Sequence, residues 1–186
     1  EQGRMLISAL QWMREQEDNL YQYKSNLTTE QIAELFHYYG LIRDDLLNFV
    51  TCSGIIGFFE ASDTPIPMLK SAYEDKHIFN LPVRELIRYK RSMPAPFYYD
   101  SSCPNVVFAV ENSGVFSTII DQWSYEQLPP LICSQGHIKL ATLVLMEQLA
   151  ANGTIIYYSG DFDPDGLQIA QKLKNRFPEN IKLWHY

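Results

Sequence analysis

The second half of the chain alternates short apolar runs with amphipathic stretches. Val106–Val110 and Leu131–Cys133 are continuous apolar segments, and residues 154–158 form a third. Each reads as a buried strand. Between and after them, residues 114–122, 138–151 and 166–177 suit helices, the second ended by Asn152-Gly153. Residues 181–184 read as a fourth strand. Strands that are apolar throughout, rather than every second residue, and that are separated by helices predict an α/β fold. The expected architecture is a Rossmann-like central parallel sheet with helices on both faces.

The first half is patterned differently. Met5, Leu6, Ala9, Leu10 and Met13 recur at helical spacing over residues 4–17. Thr28 and Gln31 form a capping-box pair that opens a helix running through Ile32, Leu35 and Phe36 to Gly40. Residues 44–51 read as another short helix, and 83–90 as one more after Pro82. The stretch 54–67, broken by glycine and proline, fits no element. Met93-Pro94-Ala95-Pro96 disfavours helix and reads as a linker. The expected organisation is a mainly helical region over 1–98, within a larger domain, followed by an α/β domain over 99–186. The opening Glu1-Gln2-Gly3 and the strand-like close at Trp184 suggest a piece cut from a longer protein, with the α/β domain truncated at its C-terminus.

Composition changes this picture little: 46% hydrophobic and 20% charged is ordinary for a globular chain. No apolar run nears the roughly 20 residues that span a bilayer, and no signal-like start is visible. Cys52, Cys103 and Cys133 are an odd number and widely spaced, so neither a disulfide framework nor a zinc site is indicated, which suits the cytoplasm. Charge matters more. The net value is −7, and from Asp100 onward 5 Lys/Arg face 9 Asp/Glu. That balance counts against tight non-specific binding of DNA by surface charge alone. A cation or partner subunits would offset it locally.

The acidic residues concentrate where chemistry is expected. Ser159-Gly160-Asp161-Phe162-Asp163-Pro164-Asp165-Gly166 places three carboxylates at a strand-to-helix turn, and Glu111 directly follows the first strand of this half. Ligands of parallel sheets gather at the carboxyl ends of strands. If the first and third strands are neighbours, Glu111, Asp161 and Asp163 meet at one edge. Asp163 also suits a helix N-cap, with Pro164 in the first turn and Asp165 favoured by the helix dipole. Capping leaves Asp161 and Glu111 unexplained. An EF-hand loop is excluded, because its twelfth position is Lys172 and a strand precedes it. His137 and Lys139, after the second strand, suit either a phosphate contact or a solvated helix start. The basic group Arg84, Arg88, Lys90 and Arg91 suits either a DNA backbone or a solvated face.

The order Val-Glu-Asn after a first strand, a glycine after the second and Asp-x-Asp-Pro-x-Gly after the third resembles the Toprim domain. The similarity is to the version in the topoisomerase VI A subunit family and in bacterial Toprim nuclease subunits of defence systems. It covers roughly the last half of the chain. The resemblance implies a Mg²⁺ site (Mn²⁺ as a substitute) at a DNA phosphodiester. By position alone Asp165 (where the topoisomerase type often has an aromatic), Lys139 and His137 suit supporting or phosphate-binding places; the resemblance itself makes Glu111 ligand or general acid/base, and Asp161 and Asp163 ligands. It also implies DNA and other protein subunits as partners. The loop 134–139 keeps the glycine but lacks the Pro-Asp and later arginine of the topoisomerase type. Tyr38-Tyr39 lacks the arginines expected upstream of a tyrosine nucleophile. Hydrolytic cleavage needs no tyrosine. Two further readings stay open: a Toprim-like module that binds DNA or a partner without catalysis, and a small-molecule phosphohydrolase.

Overall fold

The computed structural model describes every residue except Glu1, Asn19, Leu20, Tyr23, Lys24, Arg43, residues 60–63, His137, His185 and Tyr186, with Gln2 described by its backbone alone. Its contacts divide the chain into residues 1–45 and 46–186. The first unit holds α1 (Gln2–Glu17) and α2 (Thr29–Tyr38). The capping box forms as the sequence requires. Thr28 Oγ1 accepts the Gln31 N–H at 3.3 Å, and Gln31 Oε1 accepts the Thr28 N–H at 3.0 Å. Arg14 pairs with Asp18 at 3.0 Å and lies 3.6 Å from the Tyr38 ring centroid. Of the apolar stripe on α1, Leu10 is buried whereas Met5, Leu6 and Met13 are exposed.

The second unit runs β1 (Phe49–Ser53), β2 (Ile55–Phe58), α3 (Pro67–Glu74), β3 (Phe79–Pro82), α4 (Val83–Leu86), β4 (Arg91–Pro94) and α5 (Ala95–Tyr99). It continues β5 (Val106–Val110), α6 (Ser113–Gln122), β6 (Leu131–Cys133), α7 (Leu140–Ala151), β7 (Ile155–Ser159), α8 (Pro164–Arg176) and β8 (Ile181–Leu183). The main sheet has the order β3-β1-β6-β5-β7-β8, and β2 pairs with β4 in a small second sheet. Strands β6, β5, β7 and β8 are parallel, whereas β1 runs antiparallel to both β3 and β6. The architecture is therefore Rossmann-like α/β with a mixed, mostly parallel sheet. The β5-to-β6 connection moves one way along the sheet, and the β6-to-β7 connection returns past β5. Right-handed crossovers then put α6 on one face and α7 and α8 on the other.

Three sequence expectations are corrected. Residues 44–51 do not form a helix: Phe49-Val50-Thr51 opens β1, whose β-branched residues find strand partners on both sides. The Pro94 segment is not a linker. Pro94 ends β4, an edge strand where its missing N–H is tolerated, and α5 follows at once. The chain consequently divides at Asp45/Leu46 rather than near residue 98, because β1 and β3 complete the sheet to which β5–β8 belong. The helical reading of the first part holds for residues 1–45 only.

Helix α7 explains why these parts hold together. It touches β1 and β7 of the main sheet and also β4 and α4, so it is apolar all round. Gln148 anchors it by polar contacts, donating to the carbonyls of Leu86 (2.8 Å) and Tyr89 (3.1 Å) and accepting from Ser92 Oγ at 2.7 Å. Among the described residues no helix is long and apolar enough to cross a membrane.

Candidate functional site

Strands β5 and β7 are neighbours, in parallel register with Val110 opposite Ser159. Glu111 and Gly160 therefore leave the sheet side by side. From this point α6 leads from β5 toward β6, and α8 leads from β7 toward β8. Connections that diverge in this way open a crevice at the carboxyl ends of the two strands, the usual ligand position in such sheets. The condition that the sequence set for Glu111 and Asp161 to meet is fulfilled.

Glu111 is a buried carboxylate, 9% exposed. Its Oε2 accepts the Asp161 N–H at 3.0 Å, and its own N–H donates to the Ser159 carbonyl at 3.1 Å. On the other side its carbonyl accepts the Gly136 N–H at 3.1 Å and the Cys133 thiol at 3.8 Å. Burial pushes the Cys133 pKa up, which keeps the thiol a donor. The Glu111 side chain makes no ion pair among the described residues.

The turn after β7 is closed on itself. Asp163 caps α8, its Oδ1 accepting the Gly166 N–H at 2.8 Å, with Pro164 and Asp165 in the first turn. A Cβ on Gly166 would overlap the Asp161 carbonyl oxygen, so only glycine allows the helix start to lie against Asp161. The side chains of Asp161, Asp163 and Asp165 are exposed, as is Phe162 at 79%. Helices α6, α7 and α8 all begin at this edge. Asn112 Oδ1 accepts the Gly114 N–H in α6 (2.7 Å), and Asn48 Oδ1 accepts the Ala141 N–H in α7 (3.0 Å). Their positive dipole ends offset part of the repulsion among the carboxylates.

The donors are all carboxylate oxygens, which fit a hard divalent cation such as Mg²⁺. Such an ion keeps much of its water and commonly takes one or two carboxylates. That fits the edge better than a closed cage does. Among the described residues no three His, Cys, Asp or Glu side chains stand together as a ligand group. Glu111 turns to the Asp161 N–H, and one Asp163 oxygen is committed to the cap.

Lys139 stands at the same edge but is held on the β1 side. Its Nζ donates to Gln135 Oε1 at 3.0 Å and lies 4.7 Å from the Phe49 ring centroid. His137 lies outside the described residues. The basic group is on α4, β4 and the turn between them: Arg88 pairs with Glu85 at 3.0 Å, and Arg91 lies 4.2 Å from the Phe58 ring centroid. Tyr39 donates to Glu17 Oε2 at 3.3 Å, and desolvation with that carboxylate pushes its pKa up, the opposite of an activated nucleophile. Sequence reasoning missed Asn48, Thr51 and Gln135, which support the edge. Their signal in the sequence is weak: residues 44–51 satisfy helical spacing, and beside Gln135 it is Gly136 that marks a turn.

Fold and edge together define a Rossmann-like α/β protein with an acidic edge where the connections of two adjacent parallel strands diverge. A family model described as "Protein of unknown function C-terminus (DUF2399)" matches residues 79–186, more than half of the chain, and the chain belongs to that family. The match includes both carboxylate-bearing loops. No curated protein and no solved structure matches the chain.

Proposed function

We propose that this protein is a Toprim-type, Mg²⁺-dependent enzyme acting on DNA phosphodiesters, as the nuclease subunit of a larger assembly. One observation carries the reading: Glu111 and Asp161 leave adjacent parallel strands at the diverging point and are joined by a 3.0 Å hydrogen bond. The ordered motif that resembles Toprim domains supports it. Asp161 and Asp163 would hold the cation, with Glu111 as a further ligand or as the group that moves a proton. When bound, the cation stabilises charge on the phosphate and the departing oxygen. The chain contributes a carboxylate at Glu111 that burial shields from bulk water and that the Asp161 N–H orients. The positive ends of three helices favour an anionic phosphate at the same edge. Lys139, His137 and Asp165 would support that phosphate or the ligands. Three free cysteines fit a reducing cytoplasm.

A second reading has its own support. The chain is acidic, at net −7, and the loop 134–139 lacks the Pro-Asp and later arginine of the topoisomerase type, which motivates a Toprim-like module that binds DNA or a partner without catalysis. Cleavage of plasmid and oligonucleotide DNA by wild type, Glu111→Ala and Asp161→Ala, with Mg²⁺ or Mn²⁺, separates the two. The enzyme reading expects each substitution to lower the rate at least about 100-fold, the scale on which proton transfer and positioned charge contribute. Equal residual rates in all three proteins support the module. Turnover of a generic phosphate ester with no action on DNA supports a phosphohydrolase instead.

A further inference from the structure

The loop after β6 takes an unusual path. Gln135 has φ +57° and Gly136 φ +81°, two successive residues in the left-handed region. Glycine enters it freely, but a glutamine does so only where surrounding contacts hold it there. The path has a consequence for the site. Ser134 N–H donates to the Val110 carbonyl at 2.9 Å, as a parallel ladder requires. The left-handed turn then brings the Gly136 N–H back onto the carbonyl of the very next residue, Glu111, at 3.1 Å. Glu111 is thus gripped by β7 through its N–H and by this loop through its carbonyl.

The Gln135 side chain ties the turn to elements that are distant in sequence. Its Nε2 donates to Thr51 Oγ1 at 2.8 Å, and the Thr51 hydroxyl donates to Asn80 Oδ1 at 2.7 Å. Its Oε1 accepts Lys139 Nζ at 3.0 Å. A chain of polar contacts therefore runs from β3 through β1 to the turn and on to the start of α7. Both polar ends of the amide are used, so replacement by an apolar residue breaks two links at once.

We propose that Gln135 is a positioning residue of the carboxylate site. It holds the left-handed turn that fixes Glu111, and it anchors Lys139 at the same edge; its catalytic consequence rests on the nuclease reading above. Gln135 touches neither Asp161 nor the reacting groups. It acts through Gly136 and Glu111 to the Asp161 N–H, and through Thr51 to the rest of the sheet.

The test compares full-length wild type, Gln135→Ala, Gln135→Gly and Thr51→Val. Glycine is the informative variant: it accepts the positive φ without strain but lacks the amide. Mg²⁺-dependent DNA cleavage is measured as kcat and KM, and amide hydrogen exchange is followed at Gly136 and Asp161. The expected result is a kcat lowered about 10- to 100-fold in all three variants, the usual scale for outer supporting groups, with KM for DNA unchanged. Exchange at both amides should quicken while the global unfolding midpoint of Gln135→Gly stays near that of wild type. Wild-type kcat in Gln135→Gly would overturn the proposal, because the turn alone would then suffice. If wild type cleaves no DNA, the nuclease reading fails and the exchange data still decide the positioning role. Unchanged protection at Gly136 and Asp161 in both Gln135 variants overturns it; faster exchange there upholds it.

Discussion

At the scale of single residues, the capping role of Asp163 can be separated from the ligand role proposed for it. One carboxylate oxygen caps α8, and the other remains for a ligand. Asparagine caps about as well as aspartate but lacks the charged carboxylate through which Mg²⁺ is usually held. Asp163→Asn is therefore expected to melt with wild type while losing Mg²⁺-dependent cleavage. Asp163→Ala should lose cleavage and also about 0.5–2 kcal/mol of stability. On a chain of this size that lowers Tm by about 2–4 °C per kcal/mol. Thermal melts beside cleavage assays check both; full cleavage by Asp163→Asn would remove this residue from the ligand set. Capping was legible in the sequence because it is local: the acceptor, the proline and the recipient N–H lie within four residues. The bond from the Asp161 N–H to Glu111 was not, because it joins residues 50 apart and exists only if β5 and β7 are neighbours.

At the scale of elements, β1 and β6 show what a central position does to ordinary side chains. Cys52 on β1 and Cys133 on β6 are buried, and burial pushes the Cys52 thiol up to about 12 and the Cys133 thiol above its usual value. An unfolded thiol ionises near about 8.5. The fold keeps both protons above that pH and so binds more protons than the unfolded chain. This contribution to stability is fully present below about pH 8.5 and is lost as pH rises toward 12. Buried Tyr89, also raised to about 12, acts with the same sign at higher pH. Denaturant midpoints between pH 8 and 11 should fall, and less steeply in Cys52→Ala. A thiol reagent at pH 8 should modify Cys103 first; equally fast reaction of all three would contradict the burial of β1 and β6. Residues 44–51 misled as a sequence because Leu46, Leu47 and Val50 also satisfy helical spacing. Only partners on both flanks decide for strand, and those partners lie 27 and more residues away.

At the scale of the whole molecule, the boundary between units becomes testable. The sheet needs β1 and β3, and α7 needs β4 and α4 against its second side. A chain beginning at Leu46 is expected to fold cooperatively, with near-native circular dichroism. One beginning at Tyr99 should not, because it exposes β6 and the buried faces of α7. A cooperative melt of the shorter fragment would restore the boundary that the proline-rich stretch suggested. The sequence by itself determined the parallel elements β5 to β8, the cap of α8 and the residue types of the acidic edge. Each of these is written in local periodicity or in neighbours a few positions apart. Only the tertiary structure decided that β5 and β7 adjoin, so that Glu111 and Asp161 share a hydrogen bond. It alone decided that β1 and β3 complete the sheet and that Gln135 braces the site from the far side. Strand order and long-range hydrogen bonds depend on which apolar faces are buried together, and no local window of the chain contains that information.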